Sequence, residues 1–198
     1  MQVLLISGSG RPGGQSLRIA RMLEGELVRR GVETALFDVH AERLGLWESE
    51  ATPEEATHLA RLRSEAERAD ALVVVSPEWA GMVPPALKNA LIHLTGGQIA
   101  HKPVLLVGVS AGRSGTYPIA ELRSFAFKNS HALVIPHHVI LRGVEALFAN
   151  GWESTDEASV ELGKRLDAAI AELLIYAEAL GPVRARLVEL RSRFKNGM

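Results

Sequence analysis

Three stretches of this chain combine glycine, small hydroxyls and a lone cation or aromatic in ways that suit a bound anion and a flat ring. The first, Ser7-Gly8-Ser9-Gly10-Arg11-Pro12-Gly13-Gly14-Gln15-Ser16, holds four glycines, three serines and one arginine between an apolar run and a helical pattern. A phosphate is held by bare backbone N–H groups, small hydroxyls and a helix N-terminus, and this stretch offers all three. Arg11 adds the possibility of a forked, charge-assisted contact. No Gly-Lys-Ser/Thr follows, so it is not a Walker A loop, while Gly8, Gly10 and Gly13 echo the GxGxxG dinucleotide pattern and leave that reading open. A plain chain reversal would have little use for so many hydroxyls beside an arginine.

The second stretch runs from Ser76 to Asn89 as Ser-Pro-Glu-Trp-Ala-Gly-Met-Val-Pro-Pro-Ala-Leu-Lys-Asn. Trp79 is one of ten aromatic residues in the chain, and beside glycine it suits contact with a planar heterocycle or, alternatively, the capping of a core helix. Glu78 is either a general base or a loop carboxylate that organises its own turn. The third stretch, Ser110-Ala111-Gly112-Arg113-Ser114-Gly115-Thr116, repeats the small, hydroxylated, one-arginine chemistry of the first. Its other reading is a solvated connection with Arg113 free in water.

The elements that must position these stretches follow from the apolar pattern. Val3–Ile6, Ala71–Val75 and Val104–Val107 are short, unalternated apolar runs that suit strands buried on both faces of a parallel sheet. Glu33–Asp38 and Ala132–Leu141 are weaker strands, and Pro136 places the latter at a sheet edge. Between them Ile19, Leu23 and Leu27 recur at helical spacing, and Thr52-Pro53-Glu54-Glu55 starts a helix running to about Arg68. Further helices are expected from Pro84 or Pro85, over Pro118 to about Lys128, over Asp156–Leu180, and over Val183–Phe194 after the Gly181-Pro182 stop. Strand and helix alternating five times predict an α/β fold, a doubly wound parallel sheet with helices on both faces. The three chemical stretches then leave the carboxyl ends of strands one, three and four, along one edge.

Composition narrows the chemistry. The chain has 198 residues, enough for one domain of about the usual 150 residues with a surplus, and we read 1–198 as that single domain. It has no cysteine, which excludes disulfide frameworks, thiolate metal sites, iron–sulfur clusters and CxxC redox chemistry. Redox chemistry would need a borrowed organic cofactor or a metal on N and O ligands. His137-His138 is the lone adjacent histidine pair, adjacent strand residues face opposite ways, and no HExxH spacing exists, so no metal centre is expected. Twenty-two Lys and Arg against 23 Asp and Glu leave a net charge of −1, which gives no footprint for nucleic acid. No apolar run approaches a membrane span and no signal peptide is evident, so the expectation is a cytoplasmic protein.

Together the loops resemble the NADPH-dependent FMN reductase family, which has the flavodoxin-like fold, and the resemblance implies a three-layer sheet of five parallel strands in order 2-1-3-4-5. That family pairs a GSxRxxSxN phosphate loop with a PEYNGxxPxxLKNxxD-like segment. These appear here as Gly8 to Ser16 and as Pro77 to Asn89, and the likeness covers roughly residues 1–145. The resemblance implies that Ser9, Arg11 and Ser16 line the phosphate site of FMN, with Gln15 next to them. It implies that Pro77, Glu78, Trp79, Ala80 and Gly81 run along the isoalloxazine ring, and that Ser110 to Gly115, including Gly112 and Arg113, close its far side. Arg113 is the candidate partner for the 2′-phosphate of NADPH. Gly14 and Ser16 stand where the family often has Ser and Asn, and Trp79-Ala80 replaces Tyr-Asn.

The implied activity is hydride transfer from NADPH (or NADH) to flavin and onward to a small-molecule electron acceptor such as free flavin or a quinone. An alternative is a non-enzymatic flavin-binding electron carrier or sensor served by a protein partner, against which the balanced charge counts. A phospho-receiver domain is set aside because strand three ends in Ser76-Pro77 where an Asp is needed. The C-terminal helices, about residues 156–194, exceed the family core. Their apolar positions Leu162, Leu166, Ile170, Leu173 and Leu174 point to the sheet or to a second subunit, and a homodimer or tetramer is expected.

Overall fold

A computed structural model describes residues 1–124 and 129–192. Its elements are β1 (Gln2–Ser7), α1 (Gln15–Arg29), β2 (Glu33–Asp38), α2 (Pro53–Arg68), β3 (Ala71–Pro77), α3 (Pro85–Ile92), the single turn α4 (Gly96–Ile99), β4 (Pro103–Ser110), α5 (Thr116–Ser124), β5 (Leu133–Arg142), α6 (Glu157–Leu180) and α7 (Arg184–Ser192). The five strands form one parallel sheet in order β2-β1-β3-β4-β5, the flavodoxin-like arrangement that the resemblance implies. The helix expected over Pro118 to Lys128 begins earlier, at Thr116, and its last four residues lie outside the described residues, as do Arg193 and Phe194 of the last expected helix.

The pleat sorts the apolar runs. Val3, Leu5, Val73, Val75, Leu105 and Val107 face α1 and α6, whereas Leu4, Ile6, Leu72, Val74, Val104 and Leu106 face α2, α3 and α5. Every residue of β1 and β3 is buried, which is why these runs carry no polar alternation. Thr52 starts α2 with a capping box, accepting from Glu55 N–H at 3.2 Å while its own N–H donates to Glu55 Oε2 at 2.8 Å.

Pro136 has the place its ring demands. Strand β5 is the sheet edge, and between Val104↔Val134 and Leu106↔His138 it advances four residues while β4 advances two. The excess is even, so every β5 side chain keeps its face across the bulge. Arg123 of α5 donates to the Ile135 and Pro136 carbonyls at 2.7 Å each, satisfying groups that the ladder leaves out. His137 reaches Glu172 on α6 at 3.2 Å and His138 reaches Arg123 on α5 at 3.3 Å, so the adjacent histidines do part to opposite faces.

The C-terminal segment is no mere appendage. Leu166, Ala169, Ile170, Leu173 and Ala177 of α6 are buried in the same core as β1, β3, β4 and β5. Without α6 the β4–β5 half of that face would meet water, and each buried leucine or isoleucine contributes about 1.5–3 kcal/mol through its removal from water. Of the two partners expected for these positions, the sheet takes Leu166, Ile170 and Leu173, with Leu162 and Leu174 packed partly buried against the same cluster.

Lys102, 4% exposed, immediately precedes β4 and donates its Nζ protons to the Ala66 and Glu67 carbonyls at 2.6 and 2.8 Å, closing the C-terminal end of α2. Burial, reinforced by Arg184 nearby, pushes its pKa down from 10.5 to about 8. Between those values the unfolded chain holds a proton that the folded chain has released, so stability rises with pH across that window. In urea unfolding, the stability of wild type relative to Lys102→Met is expected to grow from pH 8 to 10.5. A flat difference over that range refutes the assignment.

Candidate functional site

The loop between β1 and α1 folds onto its own small residues. Ser9 is buried, and its Oγ accepts from Arg11 N–H at 3.2 Å. A side chain at Gly14 would place Cβ 2.5 Å from Ser9 Oγ, so the glycine that departs from the family pattern is what lets the loop close in this way. Gly14 is also the N-cap of α1, with no side-chain cap and no acidic residue in the first turn. The first N–H groups of the helix therefore lack an internal acceptor and leave the positive end of its dipole uncompensated. Buried beside this terminus, the hydroxyls of Ser7 and Ser16 have no hydrogen-bond partner among the described residues. Orphaned buried hydroxyls are costly unless an acceptor arrives, and a phosphate group supplies several. Gln15 is otherwise engaged: its Oε1 accepts from Arg18 Nε at 2.6 Å, and Arg18 continues to the carbonyls of Val144 and Phe148.

The stretch after β3 is a tight hairpin. Trp79 and Met82 exchange both backbone hydrogen bonds, at 3.1 and 2.9 Å, around the two-residue turn Ala80-Gly81. Both turn residues have positive φ, 48° and 74°, as a type I′ turn requires. Trp79 stands half-buried with the Arg11 guanidinium 4.7 Å from its ring centroid, a cation–π contact that joins the first loop to the second. Pro77 is buried at the strand end, and Ala80, Gly81 and Met82 are exposed.

Carboxylates hold this hairpin at both ends. Glu78 Oε2 accepts from Gly115 N–H at 2.7 Å, and Glu78 N–H donates to Val109 O at 3.1 Å, so the second and third stretches are tied together. Of its two sequence readings, the organising carboxylate prevails over the general base, although the loop it organises is its neighbour. At the other end Glu121 of α5 accepts from Val83 N–H at 2.8 Å through Oε2, and its Oε1 pairs with Lys88 of α3. Burial opposes ionisation of Glu121, but the hydrogen bonds from Lys88 and Val83 outweigh it and hold the pKa below the usual carboxylate value. In the third stretch Ser110 Oγ accepts from Gly112 N–H at 3.2 Å, Gly112 O accepts from Gly143 N–H at 2.9 Å, and Arg113 is exposed.

All three stretches thus converge at the carboxyl ends of β1, β3 and β4. Sequence reading gave no particular role to four supporting residues, although Ser7 and Asn89 lie within its first and second stretches. His40 donates from Nδ1 to Gly10 O at 3.0 Å, and Asn89 of the second motif donates to Gly45 O at 2.9 Å and accepts from Trp47 N–H at 3.0 Å. Glu121 lies 38 residues beyond its partner Val83 with no local signal to mark it.

A parallel sheet that reverses its order between β1 and β3, with an anion cradle, an aromatic hairpin and a glycine-rich third loop at that point, defines a flavodoxin-like nucleotide-binding protein. More narrowly, the chain belongs to the NADPH-dependent FMN reductase family, whose pattern residues 1–145 match. It is an oxidoreductase that uses FMN and NAD(P)H. A similar curated protein is the NADPH azoreductase of Bacillus sp. (strain OY1-2), 27% identical over 73% of this chain and 78% of that one. Another is the FMN-dependent NADPH-azoreductase of Staphylococcus saprophyticus, 30% identical over 62% of this chain and 68% of that one. Among solved structures, the flavoenzyme NAD(P)H:(acceptor) oxidoreductase FerB from Paracoccus denitrificans superposes with a TM-score of 0.69 at 21% identity, covering 90% of this chain and 98% of that one.

Ala80 occupies a left-handed position that costs an L-residue with a Cβ about 1–2 kcal/mol and that asparagine tolerates better. Ala80→Asn is expected to raise unfolding stability by about 0.5–1 kcal/mol, measured in urea. A loss of stability would contradict the turn geometry.

Proposed function

We propose that this chain carries FMN with its phosphate in the loop of Ser7, Ser9, Arg11 and Ser16, and its ring system along Pro77–Gly81, with Ser110, Gly112 and Arg113 on the far side. One observation carries the reading: the unpartnered buried hydroxyls of Ser7 and Ser16 beside an uncapped helix N-terminus. The chemistry supplied by FMN in that place is two-electron transfer from NAD(P)H to a small acceptor, for which free flavins, quinones and azo compounds are the candidates. The protein's own part is to hold two flat rings in contact and to keep the loops rigid while they exchange. Glu78 and Glu121 do this at the hairpin, and Trp79 supplies an apolar wall there. An enzyme is favoured over an acidic electron carrier by the net charge of −1. The reading places the protein in the cytoplasm; no helix among the described residues is long and apolar enough to cross a membrane.

Purified protein loaded with FMN is expected to show a visible flavin band that bleaches on addition of NADPH and recovers with an added quinone. Protein that cannot be loaded, or whose band persists under NADPH, defeats the proposal.

The same reading includes a homo-oligomer. Val160, Ile175 and Tyr176 on the outer side of α6 and Val28 at the end of α1 are 41%, 66%, 37% and 56% exposed, an unusual amount of apolar surface for helices otherwise rich in charge. Light scattering after size exclusion should return a multiple of the 21.4 kDa chain mass. A monomer mass at micromolar concentration removes the oligomer from the reading.

A further inference from the structure

Beside Gly10 opens a pocket of about 320 Å³, outside the ring-binding hairpin and formed by the end of β2, the loop that follows it, and the first turn of α3. Its apolar walls are Val39, Leu44, Pro85 and Ala86. The pocket is preformed. Asn89 grips the loop through Gly45 O and Trp47 N–H, His93 Nε2 stands 2.9 Å from Gly45 O, and His40 is fixed by its bond to Gly10 O.

Its polar groups are arranged as opposites. The Arg43 guanidinium borders the pocket and makes no hydrogen bond or ion pair among the described residues. His40 spends Nδ1 on Gly10 and keeps Nε2 free for a ligand. Glu55, also lining the pocket, commits Oε2 to Thr52 N–H and leaves Oε1 unengaged. A simple aromatic anion would satisfy Arg43 but would meet Glu55 unfavourably. A ring carrying an amino donor at one end and a phosphate at the other satisfies both.

We propose that this pocket receives the 2′-phosphoadenosine end of NADPH, with the 2′-phosphate on Arg43, the adenine between the apolar walls, and its amino group donating to Glu55. This rests on NAD(P)H being the reductant. Gly10 is where the two places adjoin: a Cβ there would meet Trp79 Cη2 of the hairpin and Ala86 Cβ of the pocket wall in ordinary contact at 3.8 Å each, so both flank this glycine. A dinucleotide whose nicotinamide reaches the ring hairpin crosses that bare glycine to place its adenosine. Arg43 and Arg113, the other arginine considered for the 2′-phosphate, are both exposed, but Arg113 does not line this pocket.

Calorimetry with adenosine 2′,5′-bisphosphate and adenosine 5′-monophosphate on the FMN-loaded protein tests the assignment without turnover. Wild type is expected to prefer the bisphosphate about tenfold, the worth of one charge-assisted contact, and Arg43→Ala to lose that preference. The NADPH/NADH ratio of kcat/KM should fall by a similar factor in Arg43→Ala and recover in part in Arg43→Lys. Equal binding of the two nucleotides by a wild type that oxidises NADPH overturns the pocket assignment alone. So does a ratio that responds to Arg113→Ala and not to Arg43→Ala. A wild type that oxidises neither coenzyme overturns the functional reading and this assignment with it.

Discussion

A parallel strand buried on both faces can present chemistry only where it ends. In this protein β1 and β3 have no exposed residue, and β4 has none before Ser110, so the sheet itself contributes no side chain to solvent along its centre. Every polar function must then sit in the loops that leave the carboxyl ends of the strands. The reversal of strand order between β1 and β3 opens a gap between the helices on the two faces, and the loops after β1 and β3 meet there. That single constraint explains why the serines, the arginine and the tryptophan lie together although 62 residues or more separate Ser16 from Glu78.

Loops that bind flat rings need rigidity as much as composition. Here it comes from half-buried charges with one to three specific partners each. Glu78 ties the hairpin to the third loop, Glu121 ties its far end to α5 and α3, and Arg18 ties α1 to the segment after β5. Each is a charge-assisted hydrogen bond in a partly dry place, where such bonds are stronger and their loss costlier than at the surface. None of these contacts is needed to cover the sheet; their common effect is to hold loop backbones in place.

The C-terminal helix shows how far a core extends beyond a family's recognisable motifs. The likeness to FMN reductases ends at residue 145, yet α6 supplies Leu166, Ile170 and Leu173 to the face that α1 covers at its other half. A doubly wound sheet exposes an apolar area on each face that one helix cannot cover, so the second helix is as much a part of the fold as the first.

Periodic apolar runs, the Thr52-Pro53-Glu54-Glu55 start, and the loops rich in glycine and serine were legible in the chain alone, because buried strands, helix caps and anion cradles each demand particular residue types at short range. Pro136 even marked the edge strand, since a proline cannot serve a central ladder. Tertiary structure alone decided which carboxylate meets which backbone N–H. Glu78 and Glu121 look like ordinary charged residues in sequence, and their partners Gly115 and Val83 lie 37 and 38 positions away. The same holds for Arg43 in the loop after β2, whose neighbours across the pocket, Pro85 and Ala86, come from α3. Local residue types record short-range physics, whereas the pairing of distant charges with distant backbone depends on strand order, which becomes definite only when the sheet closes.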